Sequence, residues 1–195
     1  LRKTPRDDVP RLTELNHKLA AVAEANGDAQ RALAAYRKAL SLDGAHVPSL
    51  LGLAELAFAQ GDHRQALDCY SRLGREVETL EPERQRVMLL HEGQAAIAAG
   101  DKTRARSALE RGLNLYPGDA EILGVLSSLQ LDGSDWHGAL ASKEALLRNA
   151  EGAEARKLLL EIGDIYRDKL RDADRAEERY RHGLELAKGA DRVLL

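Results

Sequence analysis

Three short turns constrain this chain more than anything in its composition. Gly27-Asp28, Gly61-Asp62 and Gly100-Asp101 each separate two runs of apolar residues at helical spacing, and Ser134-Asp135 does so with Ser in place of Gly. Each pair reads as a helix stop followed by a helix start. Gly takes the left-handed backbone at a helix C-terminus, and Asp caps the next N-terminus. A small residue follows each turn, at Ala32, Ala66, Ala105 and Ala139, and again at Ala176. Four positions further on come Tyr36, Tyr70, Leu109, Lys143 and Tyr180, and both series step by 34, 39, 34 and 37 residues. A small residue at i and a large one at i+4 share one helical stripe, so a neighbouring helix can approach at the first and pack against the second. Upstream of each turn a second small series recurs at Ala20, Ala54, Gly93, Ser127 and Gly163. Small residues on both helices and very short turns require antiparallel helical hairpins.

Composition agrees. Charged residues are 31% of the chain with both signs interspersed, the net charge is −3, and aromatics are only 4%. Such a surface is that of solvated helices, with no basic footprint for nucleic acid. β-Branched residues are few and never alternate over a strand length, so the class is all-α. Cys69 is the single cysteine, which excludes an intrachain disulfide. No apolar run approaches the ~20 residues of a membrane span. No signal-peptide core is present either, and a cytoplasmic location is the expectation. The chain starts at Leu1 without a Met, so a processed or partial chain is expected.

The stretch Gly27-Asp28-Ala29-Gln30-Arg31-Ala32-Leu33-Ala34-Ala35-Tyr36-Arg37-Lys38-Ala39-Leu40-Ser41-Leu42-Asp43 resembles the second helix of the tetratricopeptide repeat family, and Pro117 supplies that family's helix-ending proline once. The resemblance covers nearly the whole chain, with repeats placed at 13–46, 47–80, 86–119, 120–153 and 156–190. It implies a right-handed α-α superhelix of five antiparallel hairpins. Residues 1–12 are expected to form a lead-in and 191–195 the start of a further helix or a truncated end, with Gly189 as the stop before it. Residues 81–85 are extra and lengthen the following helix or its entry loop. Repeat four departs most, because Lys143 stands where the others carry a large apolar or aromatic side chain. A lysine there is expected to be only partly buried, with Trp136 covering the gap. Repeat five has one extra residue in its turn, within Lys169-Leu170-Arg171-Asp172.

In proteins of this family the first helices of successive repeats line a groove that receives a peptide or protein segment. Carried over by position, the groove here consists of Leu51, Glu55, Phe58, Val87, Leu90, Gln94, Ile97, Ser128, Leu131, Leu160 and Asp164, flanked by Glu14, His17, Ala21 and Glu24 from the first repeat. Its middle is apolar, with Leu51, Phe58, Leu90, Ile97 and Leu131 on the face expected to be open, and acidic residues flank it. The Lys, Asn and Arg clamp of the family's chaperone-binding members is missing, since His17, Ala21, Gly52, Val87 and His91 occupy the matching places.

Catalytic and metal chemistry find little support. His91-Glu92 begins like a zinc-binding helix but no second His follows four residues on, and it reads as a solvated helix start. The six histidines show no i, i+4 pairing, so no metal is expected. Cys69 reads as a buried, inert thiol. No glycine-rich loop ends in Lys-Ser or Lys-Thr, and no cofactor is expected. Glu177 and Arg181 are spaced for a surface ion pair. The function that follows is a non-catalytic scaffold for a protein or peptide that is apolar with some basic character. Nucleic acid and a membrane span are not expected. The alternatives are self-assembly through an open C-terminal end, and a regulatory or substrate-presenting arm of a larger protein.

Overall fold

The computed structural model describes residues 8–193, and helices account for all of its regular structure there, with no strand among the described residues. It forms two compact units, 1–105 and 106–195. The first contains α1 (Val9–Ala25), α2 (Ala29–Leu42), α3 (Val47–Ala59), α4 (His63–Leu73), a 3-10 segment (Gly74–Thr79) and α5 (Pro82–Ala98). The boundary falls within α6 (Lys102–Leu115), and the second unit continues with α7 (Ala120–Asp132), α8 (Trp136–Leu147), α9 (Gly152–Asp164), a π-helical segment (Ile165–Leu170) and α10 (Ala173–Val193). In the first unit α1 pairs with α2 and α3 with α4, while α2 packs on α3 and α4 on α5. In the second, α7 pairs with α8 and α9 with α10, and α8 packs on α9. Contacts therefore run between sequence neighbours, as hairpin repeats require.

The turns close as their residues dictate. At Gly27-Asp28 the Gly27 N–H donates to Glu24 O at 2.8 Å and the Asp28 N–H to Ala23 O at 2.9 Å, and the same pair of bonds recurs at residues 61–62, 100–101 and 134–135. Each such turn needs one residue with positive φ. Gly27, Gly61 and Gly100 supply it at 74°, 78° and 81°, while Ser134 and Arg171 are forced to 59°. The following Asp then caps the next helix in every case. Asp28, Asp62, Asp101, Asp135 and Asp172 accept from the N–H three residues on at 2.9–3.1 Å. Asp135 also receives a guanidinium N–H from Arg106 at 3.0 Å. The Gly138 N–H, and after it Arg106, hold its carboxyl below the usual range.

Packing follows the small-residue series. Ala20, Ala32, Ala54, Ala66, Ala105 and Ala139 have no exposed surface at all. The tyrosines beside them place their hydroxyls on carboxylates of the paired first helix. Tyr70 Oη donates to Glu55 at 3.0 Å, Tyr180 Oη to Asp164 at 2.8 Å, and Tyr36 Oη to Glu24. Lys143 departs from expectation. It is only 9% exposed, and its ammonium donates to Glu161 at 2.6 Å. The four-carbon stem fills the slot that tyrosine fills elsewhere, and the charged tip reaches a carboxylate as a phenol would. Trp136 packs on the core built from Ala139, Leu140, Ile162, Ile165, Tyr166 and Ala176, with Lys169 Nζ 4.9 Å from its ring centre.

Two further expectations are corrected. Residues 81–85 lengthen the helix, since α5 starts at Pro82; His91-Glu92 therefore lies in its middle and is no solvated start. Glu92 is buried and accepts from Arg104 at 2.8 Å. Gly189 does not stop α10, which runs on to Val193. A single glycine costs a helix interior only about 1 kcal/mol, and Ala187, Lys188 and Ala190 around it are good helix formers. Residues 1–7 of the lead-in and 194–195 lie outside the described residues.

Candidate interaction site

The first helices of the first unit, α1, α3 and α5, lie side by side, with α3 touching both neighbours. Between them opens a cavity of about 400 Å³. Ala21, Pro48, Leu51, Gly52, Val87 and the Tyr36 ring supply its apolar wall, and His17, Glu55, Glu83 and Arg84 its polar edge. Gly52 is needed there. A Cβ at residue 52 would stand 2.7 Å from Tyr36 Cε1 and closer still to Cζ. The glycine lets the Tyr36 ring pack closely against α3, where its hydroxyl reaches Glu24. Burial first, and the Glu24 carboxylate second, push the Tyr36 phenol far above its ordinary value, so it remains a donor.

Polar groups around the cavity are held in place by one another. His17 and His46 meet edge to face at 5.5 Å, and Ser49 Oγ lies 2.8 Å from His46 Nδ1 and 3.4 Å from His17 Nδ1. Burial, then the neighbouring His46, lowers the pKa of His17, which favours its neutral form. On the other side Glu55 is gripped twice, by Tyr70 on one oxygen and by His91 Nδ1 at 2.6 Å on the other. A carboxylate only accepts, so the His91 proton sits on Nδ1. The His91 ring stacks on Phe58 with centroids 4.2 Å apart and planes 14° from parallel.

The structure thus brings Leu51, Glu55 and Val87 together at one cavity and sets Phe58 beside it through His91. Gln94 is half-buried and Ile97 is exposed at the end of α5. Leu90 is a correction, being only 6% exposed. Buried positions on α3 span an arc of about 140° at 100° per residue, whereas those on α5 span about 220°, and the wider arc takes in Leu90. In the second unit Leu160 and Ser128 are exposed, and Ser128 Oγ donates back to Gly124 O at 3.1 Å. Leu131 packs partly on that unit's core, and exposed Asp164 is engaged by Tyr180 and by Arg167 at 3.0 Å. None of these four lines the α1–α3–α5 cavity. Tyr36, Pro48, Gly52, Glu83 and Arg84 were not expected at the site. Glu83 and Arg84 come from the extra residues 81–85, whose addition to the first turn of α5 carries them to the cavity mouth.

Known proteins agree with this architecture. Solved structures of similar fold include MamA, with a TM-score of 0.71 at 20% identity over 97% of both chains. YrrB, described as a TPR protein with an unusual peptide-binding site, gives 0.68 at 19% over 88% of this chain and 84% of its own. PilF of Pseudomonas aeruginosa gives 0.60 at 19% over 87% and 74%. A probable biofilm formation methyltransferase of Pseudomonas putida, WspC, is 40% identical over 72 residues, which are 35% of this chain. The chain spans only 17% of that relative's length. Tetratricopeptide repeat models match residues 23–85 and 88–119. Together with the hairpins, capped turns and small-residue stripes described above, these matches show that residues 23–119 carry repeats of the tetratricopeptide repeat family.

Proposed function

We propose that the chain is a non-catalytic binding module whose first unit seats an apolar side chain of a partner segment in the α1–α3–α5 cavity. One observation carries the reading: an apolar-walled space of about 400 Å³ edged by carboxylates that are already oriented. That volume lies within the roughly 300–1,000 Å³ range of ligand pockets and takes one large aliphatic or aromatic group with room for its backbone. Glu14, Glu24 and Glu55 stand on the same helices, so a Lys or Arg beside the anchor is the complementary flank. The description of YrrB as peptide-binding supports the class of ligand.

The test is selection of random peptides displayed on phage against this chain and against the double variant Leu51→Glu, Val87→Glu. Enriched peptides are expected to pair an apolar anchor with a basic neighbour and to lose binding to the variant, while its circular dichroism stays helical. Peptides that bind both proteins equally would defeat the assignment. A second reading concerns context. The match to part of WspC, a protein several times longer than the aligned segment, supports a role as the interaction arm of a larger protein. Appending the natural flanking sequence would then leave peptide selection unchanged.

A further inference from the structure

Histidines 17, 46 and 91 are far apart in sequence, yet the fold of the first unit gathers them around its cavity, each near a carboxylate. His46 Nε2 lies 3.7 Å from Glu14 Oε2, and His91 Nδ1 lies 2.6 Å from Glu55 Oε2. His17 lines the cavity itself, within reach of the Glu14 and Glu24 charges. Glu14, Glu24 and Glu55 are the carboxylates that a basic residue beside the anchor would meet. All three rings are partly exposed, so protons reach them from solvent. An imidazole is the side chain whose charge changes between about pH 5 and 8.

The groups around each ring define what a proton does there. Beside His17 stand Glu14, Lys18 and Glu24 on α1, the Tyr36 phenol on α2 and His46 at the start of α3. Glu55, Glu83 and Arg84 line the same cavity, where Glu83 pairs with Arg86 at 2.8 Å. Glu14 also pairs with Lys18 at 3.3 Å, and the His46 N–H donates to the Asp43 carbonyl. Beside His91 stand Glu55 of α3 and, through it, Tyr70 of α4, while Glu92 of its own helix turns to Arg104. Phe58 touches both His91 and His63. The buried Ser49 hydroxyl bridges Nδ1 of His17 and of His46, donating to one and accepting from the other. Once both rings are protonated, both Nδ1 atoms are donors, the hydroxyl hydrogen loses its ring acceptor, and two cations stand 5.5 Å apart.

We infer that the cavity is gated by protons: it holds a segment with a basic flank while these histidines are neutral and releases it when they are charged. The inference rests on the reading of the cavity as the seat of such a segment. Each proton sets a positive charge beside a carboxylate that the ligand's own cation needs. A charged His91 forms an ion pair with Glu55 and cancels its pull on a Lys or Arg. The apolar anchor carries no charge, so the loss follows the basic flank alone. By linkage, a bound cation discourages protonation of the same rings, and affinity rises with pH.

The probes are peptides that phage selection against the whole chain enriches at about pH 8, chosen without His, Asp or Glu and labelled for fluorescence anisotropy. Each is titrated from about pH 8 to pH 5 beside a copy whose Lys or Arg is changed to Gln. The basic peptides should weaken by about tenfold or more, and the Gln copies by less than about twofold. The triple variant His17→Asn, His46→Asn, His91→Asn keeps a side-chain N–H near each Nδ1 but cannot titrate. It should bind the basic peptides at pH 8 much as the parent does and hold that affinity in acid. Should circular dichroism show the triple variant to be less helical, the single variant His91→Asn decides, with a visibly smaller fall than the parent's. Basic peptides that keep their affinity in acid, a fall shared equally by the Gln copies, or a full fall retained in the folded variant would overturn the gating alone. If nothing is enriched, if the enriched peptides lack a basic residue, or if they bind the Leu51→Glu, Val87→Glu protein equally, the reading of the cavity fails and the gating with it.

Discussion

Replacing Gly52 with Ala tests the packing that shapes the cavity. The added Cβ would stand 2.7 Å from Tyr36 Cε1 and nearer to Cζ, inside van der Waals contact. Tyr36 is buried and tied to Glu24, so its ring has no free direction in which to swing. Overpacking of a well-filled site costs about 1–3 kcal/mol. Losing the Tyr36 to Glu24 bond adds about 1 kcal/mol, and the better helix propensity of Ala returns about 1 kcal/mol. The expected net loss is therefore about 1–3 kcal/mol. Urea denaturation followed by circular dichroism measures it. Gly163→Ala is the internal control, because its Cβ would meet the Tyr180 ring in the same way, at 2.8 Å from Cδ1. Tyr180 is only half-buried and can swing outward, so that variant should lose less. Pairing Gly52→Ala with Tyr36→Leu should recover part of the loss by removing the obstructing ring edge. A Gly52→Ala protein as stable as the parent, or one hurt less than Gly163→Ala, would refute the reasoning.

Three further outcomes follow from particular side chains. Lys143→Ala should destabilise by about 1–3 kcal/mol in the same assay, because it removes a buried stem as well as the Glu161 pair, whereas Lys143→Met should stay close to the parent. Ser134→Gly should stabilise by about 0.5–1 kcal/mol, since Ser134 holds the left-handed backbone at φ 59° in a turn where three counterparts are glycine; an unchanged midpoint would argue against strain there. Cys69 is buried, and that burial pushes its thiol up to about 11, so it should resist a thiol-titrating reagent at neutral pH and react fully in denaturant.

What could be read from the sequence was what local backbone chemistry decides. A left-handed turn residue followed by an N-capping Asp leaves few alternatives, and the bonds of Asp28, Asp62, Asp101 and Asp135 close where the spacing places them. Full burial of the small residues was legible for a similar reason, because a stripe of Ala within charged helices has no other use. The exposure of first-helix residues was not legible. Leu51 and Leu90 occupy matching places 39 residues apart, yet one lines an open cavity and the other is buried. Exposure depends on how many elements surround a helix, and periodicity reports only its most buried direction. Lys143 shows the converse. Its charge argued for a partly exposed place, but a long stem carrying its cation to Glu161 satisfies both packing and charge. The cavity required both kinds of information at once. Gly52 mattered on sequence grounds only as the absence of a clamp, and residues 81–85 only as an insertion. In the fold the glycine admits Tyr36 to the wall, and the insertion brings Glu83 and Arg84 to the mouth. The departures from the repeat pattern, more than the pattern itself, therefore give this chain a cavity of its own.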